Sequence, residues 1–290
     1  MKILLIGHSI IDHFDESGVQ ISHPGGIFYS TLGVLSLTEP EDEIFLLTGG
    51  NQNSFYLFEK LYSKTNLIYV NMIQEMPEVV LKTSGEGERE ETYKNLSSQL
   101  SIDLVMDWDQ YDGILINMIT GFDISLDQLK TIRKNFNGTI YFDVHTLSRG
   151  VGLNMKREFR PIPQINEWLS NVDILQCNEN ELKTIIPNKI ENESAFEILE
   201  YGVKIVIITK GDKGAHLYFG SDDKMKTNFI EAVKINTVNK IGCGDIFGAV
   251  FFYSYISTRD VSKSLMLANK AGALAAATKD IVSQTVLRIV

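Results

Sequence analysis

Cysteine is nearly absent: Cys177 and Cys243 are the only two among 290 residues. Two thiols cannot build a disulfide framework, so a reducing compartment is expected and the fold must rest on its core. Long apolar runs are absent too, and the longest, such as Ala249–Tyr253, fall well short of the roughly 18 residues a membrane span needs. The apolar opening Met1-Lys2-Ile3-Leu4-Leu5-Ile6-Gly7 is too short for a secretory leader and predicts a first strand instead. Nor is there a cationic excess, since 27 Lys and Arg stand against 37 Asp and Glu, a formal net charge of −10. So acidic a surface repels polyphosphate and no basic run offsets it, which argues against nucleic acid as a partner. A local cationic pocket for a small anion remains compatible. The expectation is a soluble, cytoplasmic protein with no membrane partner.

What is present is ordinary globular material, 44% hydrophobic and 22% charged. At about 150 residues per domain the length allows one large domain or a large one with a small appendage. Short apolar runs alternate with longer amphipathic stretches. The predicted strands are Lys2–Ile6, Ile44–Leu47, Gly113–Asn117, Thr139–Asp143, Ile174–Cys177 and Val203–Thr209. Each is apolar through its length and bounded by turn-forming residues, the pattern of strands buried on both faces. Between them, Tyr29–Leu37, Asn53–Tyr62, Leu126–Asn135, Ile165–Ser170 and Ser194–Tyr201 predict helices. This alternation predicts an α/β fold, a doubly wound and mostly parallel sheet with helices on both faces. Asp12–Gly26 and Glu78–Asp103 break the rhythm. They predict a small β lid over the carboxyl edge of the sheet, with plain surface loops as the alternative. The chain is read as one domain over 1–290, with lid segments near 12–26 and 78–103.

In open α/β sheets ligands gather beyond the carboxyl ends of the strands, so polar residues there come first. The strongest local signal is Asn239-Lys240-Ile241-Gly242-Cys243-Gly244-Asp245-Ile246-Phe247-Gly248. Two glycines lead into the apolar run Ile246–Ile256, long enough for a buried helix. Glycine amides turned inward, together with a helix N-terminus, make an anion cradle. Asp245 falls in the first turn beside it. A carboxylate there would repel a bound anion unless it handles a proton; the plainer reading is a tight turn followed by a helix cap. No GxxxxGK[ST] loop occurs, and the glycine pattern is not the dinucleotide fingerprint, which argues against a dinucleotide oxidoreductase. HExxH, CxxC, paired-His and GxSxG patterns are also missing.

Gly242-Cys243-Gly244-Asp245-Ile246-Phe247 resembles the GAGDxF signature of the ribokinase-like (PfkB) family of carbohydrate and nucleoside kinases. Three further segments match that family in order: the di-glycine Gly25-Gly26, Asn178-Glu179-Asn180-Glu181 as its NxxE, and Thr209-Lys210-Gly211-Asp212-Lys213-Gly214 as its TxGxxG. The resemblance implies an ATP- and Mg²⁺-dependent kinase of a hydroxyl on a small sugar or sugar derivative. A nucleoside acceptor, or a catalytically degenerate ligand-binding member, stands as the alternative. It further implies Asp245 as base and the amides of Gly242, Cys243 and Gly244 as anion hole. Asn178 and Glu181 would organise Mg²⁺ through waters, although their spacing suits an N-cap and capping box equally well. Thr209, Gly211 and Gly214 would line the ATP phosphates. Asn269 would fall in the adenine region, or simply be exposed. Asp12, with Gly25, Gly26, Ser30 and His145, would bind the acceptor; an exposed loop aspartate is the alternative for Asp12. Lids that pair between subunits in that family would make a homodimer.

Several positions depart from the family pattern. Asn239-Lys240-Ile241 replaces its Asp-Thr-Thr, His145 replaces an Asn, and Ser30 stands where an Asn usually contacts sugar. Ile27, Phe28 and Tyr29 are bulky where small residues are usual. Lys240 adds a cation beside the phosphates or points into solvent, and Arg149 contacts phosphate or covers the surface. These changes bear on the acceptor more than on the chemistry.

Overall fold

The computed structural model describes residues 1–16, 19–82, 90–221 and 224–289. From its start the chain runs through β1 (Lys2–Ile6), the hairpin β2 (Ser9–Glu16) and β3 (Val19–Gly26), helix α1 (Ile27–Leu35) and β4 (Glu43–Gly50). A 3₁₀ turn and α2 (Glu59–Tyr62) lead to β5 (Asn66–Met72), then to β6 (Glu78–Lys82) and β7 (Glu90–Asn95). The middle of the chain holds β8 (Gly113–Asn117), α3 (Leu126–Asn135), β9 (Thr139–Asp143), β10 (Arg149–Val151) and β11 (Arg157–Phe159). The remainder runs α4 (Ile165–Leu169), β12 (Ile174–Asn178), α5 (Glu179–Ile185), α6 (Glu191–Glu200), β13 (Ile205–Thr209), β14 (Ala215–Ser221), β15 (Lys224–Ile230), α7 (Cys243–Thr258) and α8 (Val261–Ala277).

Nine strands form the main sheet in the order β15-β14-β13-β12-β9-β8-β1-β4-β5. From β13 to β5 all pairs are parallel, and β14 and β15 add an antiparallel edge. β1 shows why its sequence is apolar throughout. Ile3 and Leu5 join a core cluster with α1, α7 and α8, whereas Leu4 and Ile6 join the opposite cluster with α3, α4 and α6. Alternate side chains leave opposite faces of a strand, and here both faces are covered. α7 is apolar on every side because it is buried between α1, α8 and the sheet. Gly33 of α1 allows that approach, since a Cβ there would stand 2.9 Å from the Ala249 Cβ. Among the described residues no helix is long and apolar enough to cross a membrane.

The two segments that break the α/β rhythm form a four-stranded sheet of order β3-β2-β6-β7. β2 pairs antiparallel with β3 and parallel with β6, and β6 pairs antiparallel with β7. The expected surface-loop alternative is therefore replaced by regular structure, although β2 begins at Ser9 rather than Asp12 and Ile102–Leu104 is a 3₁₀ turn. Most of the charged turn Ser84–Glu91 lies outside the described residues. Ile10, Val79, Leu81 and Tyr93 of this sheet pack on Ile119, just beyond β8. The hairpin β10–β11 flanks the lid-like sheet, where the Tyr93 amide donates to the Met155 carbonyl at 2.9 Å.

Candidate active site

α7 begins at Gly242, which adopts a positive φ of 70° as N-cap and makes no side-chain cap bond. A Cβ at Gly242 would collide with the Tyr29 ring, so glycine is required both for the backbone conformation and for the approach of α1. The first-turn amides thus have no side-chain cap, and the helix dipole adds positive partial charge at the same end. Asp245 sits in this first turn, but it is not the cap that the plainer reading expected. Its Oδ1 accepts a hydrogen bond from Asn117 Nδ2 at 2.7 Å. The same Asn117 amide reaches Ser30 Oγ at 3.2 Å, which brings β8, α1 and α7 together at the carboxyl end of the sheet.

The helix start is fixed by a second amide. Gln176 Nε2 donates to the Gly244 carbonyl at 3.1 Å and to Asp143 Oδ2 at 2.8 Å, while Tyr141 OH donates to Gln176 Oε1 at 2.6 Å. Burial pushes the Asp143 carboxyl well above the usual carboxylate range, and the neighbouring Glu181 and Asp245 charges push it the same way. His145, at a positive φ of 30°, lies two residues after Asp143, and its backbone amide donates to Asp143 Oδ1 at 3.2 Å. Burial lowers its imidazole to about 4 against the opposing pull of Asp245, so the ring is neutral at pH 7.

Asp12 is 4% exposed in β2, so it is no exposed loop aspartate. Its carboxylate lies over Gly25, where any Cβ would strike it. Gly26, at φ 68°, backs onto the His8 carbonyl, which accepts the Ile27 amide at 3.0 Å as α1 begins. The di-glycine is thus the point where the lid-like sheet passes into the helix that carries Ser30.

Asn178 and Glu181 do form the capping box. Asn178 Oδ1 accepts the Asn180 and Glu181 amides, both at 2.9 Å, and Glu181 Oε2 accepts the Asn178 amide at 2.8 Å. The Asn178 oxygen is thus committed to the helix. Glu181 Oε1 faces Arg149 at 3.6 Å, and the Arg149 guanidinium also meets Glu91 of β7 at 3.7 Å. Arg149 is therefore turned into a charge cluster rather than out over the surface. Among the described residues no group of three His, Cys, Asp or Glu side chains is arranged to hold a metal ion directly.

Thr209 ends β13 in register with Asn178 on β12, so the TxGxxG turn opens beside the NxxE turn. Gly211 and Gly214 have φ of 58° and 114°, and a Cβ at Gly214 would collide with the Ile230 carbonyl. Lys210 ties this turn to both neighbouring helices through Glu191 and, at 3.3 Å, Glu179. Asn269 is buried, not exposed, and its amide donates to the Glu231 carbonyl at 2.9 Å. Lys240 is exposed.

Asn117, Gln176, Glu91 and Arg157 were not among the sequence candidates. Asn117 closes the predicted strand Gly113–Asn117 and was discoverable as the polar residue at a strand's carboxyl end. Gln176 had a signal too, a polar residue inside the apolar run Ile174–Cys177. Glu91 and Arg157 had none, because their partnership spans the lid and a separate hairpin.

The fold class is that of ribokinase-like α/β proteins. The ribokinase of Thermotoga maritima superposes with a TM-score of 0.78 at 18% identity, over 99% of this chain and 96% of that one. A pyrophosphate-dependent kinase in the ribokinase family, complexed with a pyrophosphate analog and myo-inositol, also gives 0.78 at 14% identity, over 98% and 99%. Residues 148–284 match the family model described as pfkB family carbohydrate kinase. Staphylococcus aureus ribokinase is 32% identical over 115 residues, covering 38% of this chain and 36% of that protein. The ATP-dependent ribose-1-phosphate kinase of Halopiger xanaduensis is 28% identical over 110 residues, 38% and 34%. The chain thus spans about a third of the length of the curated relatives it matches. Residues 148–284 are thus similar to the pfkB family, in a chain with a ribokinase-like fold.

Proposed function

We propose that this protein is an ATP-dependent kinase that phosphorylates a hydroxyl of a small sugar or sugar derivative, as a single ribokinase-like domain in which residues 12–26 and 78–103 serve as the lid. The observation that carries this reading is the start of α7, where an uncapped helix N-terminus and an amide-held carboxylate stand side by side. Arabidopsis thaliana ribokinase, a structure complexed with ribose and ATP, superposes with a TM-score of 0.76, which supports the same assignment.

Phosphoryl transfer asks a protein for positioning and charge stabilisation more than for covalent chemistry. The acceptor hydroxyl gives its proton to Asp245 as its oxygen bonds to the γ-phosphorus, and the bond from that phosphorus to the bridging oxygen breaks to release ADP. The amides of Gly242, Cys243 and Gly244 receive the charge that develops on the transferring group. Thr209, Gly211 and Gly214 face the nucleotide phosphates, and exposed Lys240 stands two residues before Gly242. Mg²⁺ bound to those phosphates would supply further neutralising charge. The buried carboxyls of Asp143 and Glu181 suit such an ion through its waters, since Mg²⁺ keeps much of its hydration. Asn178 contributes by holding Glu181 in place. Asn269 positions the chain after β15 through Glu231.

Asp12 binds acceptor hydroxyls, beside Gly25, Gly26, Ser30 and His145. A carboxylate accepts two hydroxyl donors at once, which suits a polyol. Asp12→Ala is expected to raise the acceptor KM ten- to a hundredfold, about 1.5–3 kcal/mol for a charge-assisted bond, and to leave the ATP KM nearly unchanged. Steady-state kinetics with each substrate varied in turn checks this. An unmoved acceptor KM would place the acceptor elsewhere. The function itself is tested by ADP release with Mg²⁺ and a panel of pentoses, hexoses, polyols and nucleosides.

A further inference from the structure

Asn117 is 1% exposed at the end of β8, and its side chain is half satisfied. Nδ2 donates to Asp245 Oδ1 and to Ser30 Oγ, whereas the carbonyl Oδ1 is buried with no hydrogen-bond partner among the described residues. Turning the amide over would set its carbonyl against the Asp245 carboxylate, two acceptors face to face. The orientation is therefore dictated by Asp245. It leaves a buried carbonyl unsatisfied, an unfavourable state for a polar group out of reach of water. Local rules broken in this way concentrate where function overrides stability.

We infer that Asn117 is the positioning residue of this site, its amide holding one oxygen of Asp245 so that the other, Oδ2, is presented to the acceptor hydroxyl. The inference rests on the reading of Asp245 as the base. Gln176 grips α7 by its backbone at Gly244, so it aims the helix; Asn117 grips the carboxylate itself and aims the side chain. Ser30, held by the same amide, sets α1 and the di-glycine turn relative to that carboxylate. Asn117 acts on turnover through Asp245, and it touches no group expected to hold ATP.

Three proteins test this: wild type, Asn117→Leu and Asn117→Asp, each assayed with the acceptor that wild type turns over best. Asn117→Leu removes the orphaned carbonyl and keeps the branched shape of the side chain, so its melting temperature should equal or exceed that of wild type. Its kcat should fall about ten- to a hundredfold, the scale of a small misplacement of a reacting group, with the ATP KM within twofold. Asn117→Asp puts a second carboxylate against Asp245, so the acid limb of its kcat/KM profile should move to higher pH. A folded Asn117→Leu with kcat within twofold of wild type would overturn the positioning role alone. If the leucine variant fails to fold, an unchanged acid limb and kcat in the aspartate variant would overturn it. No turnover by wild type with any acceptor would overturn the kinase reading and this role with it.

Discussion

Asp245→Asn is expected to leave the fold intact and to reduce turnover by about 10²–10⁴-fold, the usual range for general-base catalysis. Asparagine keeps the size of the side chain, and Asp245 makes no cap bond whose loss would unravel α7. Its Oδ1 can still accept from Asn117, while the amide that replaces Oδ2 cannot take a proton. The melting temperature and the affinity for ATP should therefore stay near those of wild type. Thermal denaturation, nucleotide titration and steady-state turnover measured on one preparation check all three. A folded variant with near-normal turnover would leave Asp245 a bystander; loss of turnover together with unfolding would make it a structural carboxylate.

The second large effect concerns the attachment of the lid. The Arg157 side chain on β11 is buried, pairs with Glu91 of β7, donates to Tyr93 OH at 2.6 Å and to the Ile119 carbonyl at 3.2 Å, and stacks over the Tyr93 ring at 4.5 Å. Arg157→Met removes the nearest cation from a buried carboxylate, and breaking such a pair costs about 3–5 kcal/mol. A fall of that size in the unfolding free energy, read from urea denaturation, is expected. The double variant Arg157→Met with Glu91→Leu should recover much of the loss, because replacing both charges by apolar groups avoids stranding one of them. A single variant within about 1 kcal/mol of wild type would show that the pair contributes nothing.

The parallel half of the fold was legible because its strands are buried on both faces. Lys2–Ile6, Gly113–Asn117 and Thr139–Asp143 match the predicted ranges residue for residue, since apolar runs ending in Gly, Asn or Asp leave little latitude. Leu126–Asn135 was equally clear, and Ser125 and Gln128 close a capping box at its start. β15 was not legible. Its sequence Lys224–Ile230 alternates exposed and half-buried positions on an edge strand, with no apolar run to betray it. α8 was missed for another reason, because Ala268, Ala271 and Ala275 pack it closely through small side chains that leave only a faint apolar stripe.

At the site, motif spacing located the turns but not the bonds within them. Asn-x-x-Glu at 178–181 suited a capping box and a metal site equally, and only the geometry shows that Asn178 is committed to the cap. Gly242 and Asp245 lie where the glycine spacing placed them, at the head of a buried helix. Asn117 approaches Asp245 across 128 residues of chain, so no local pattern could connect them. The pairing of Glu91 with Arg157 is hidden in the same way, through the meeting of the lid-like sheet with the hairpin.

The proposed reaction moves a phosphoryl group from ATP to a carbon-bound hydroxyl at the start of α7. The most direct measurement follows ³¹P NMR spectra of ATP, Mg²⁺ and each acceptor of the panel, with wild type and with Asp245→Asn. The expected result is a new phosphomonoester resonance growing in step with ADP for at least one sugar-like acceptor, and absent with the variant. Inorganic phosphate as the only product, no consumption of ATP with any acceptor, or an equal phosphomonoester signal from both proteins would contradict it.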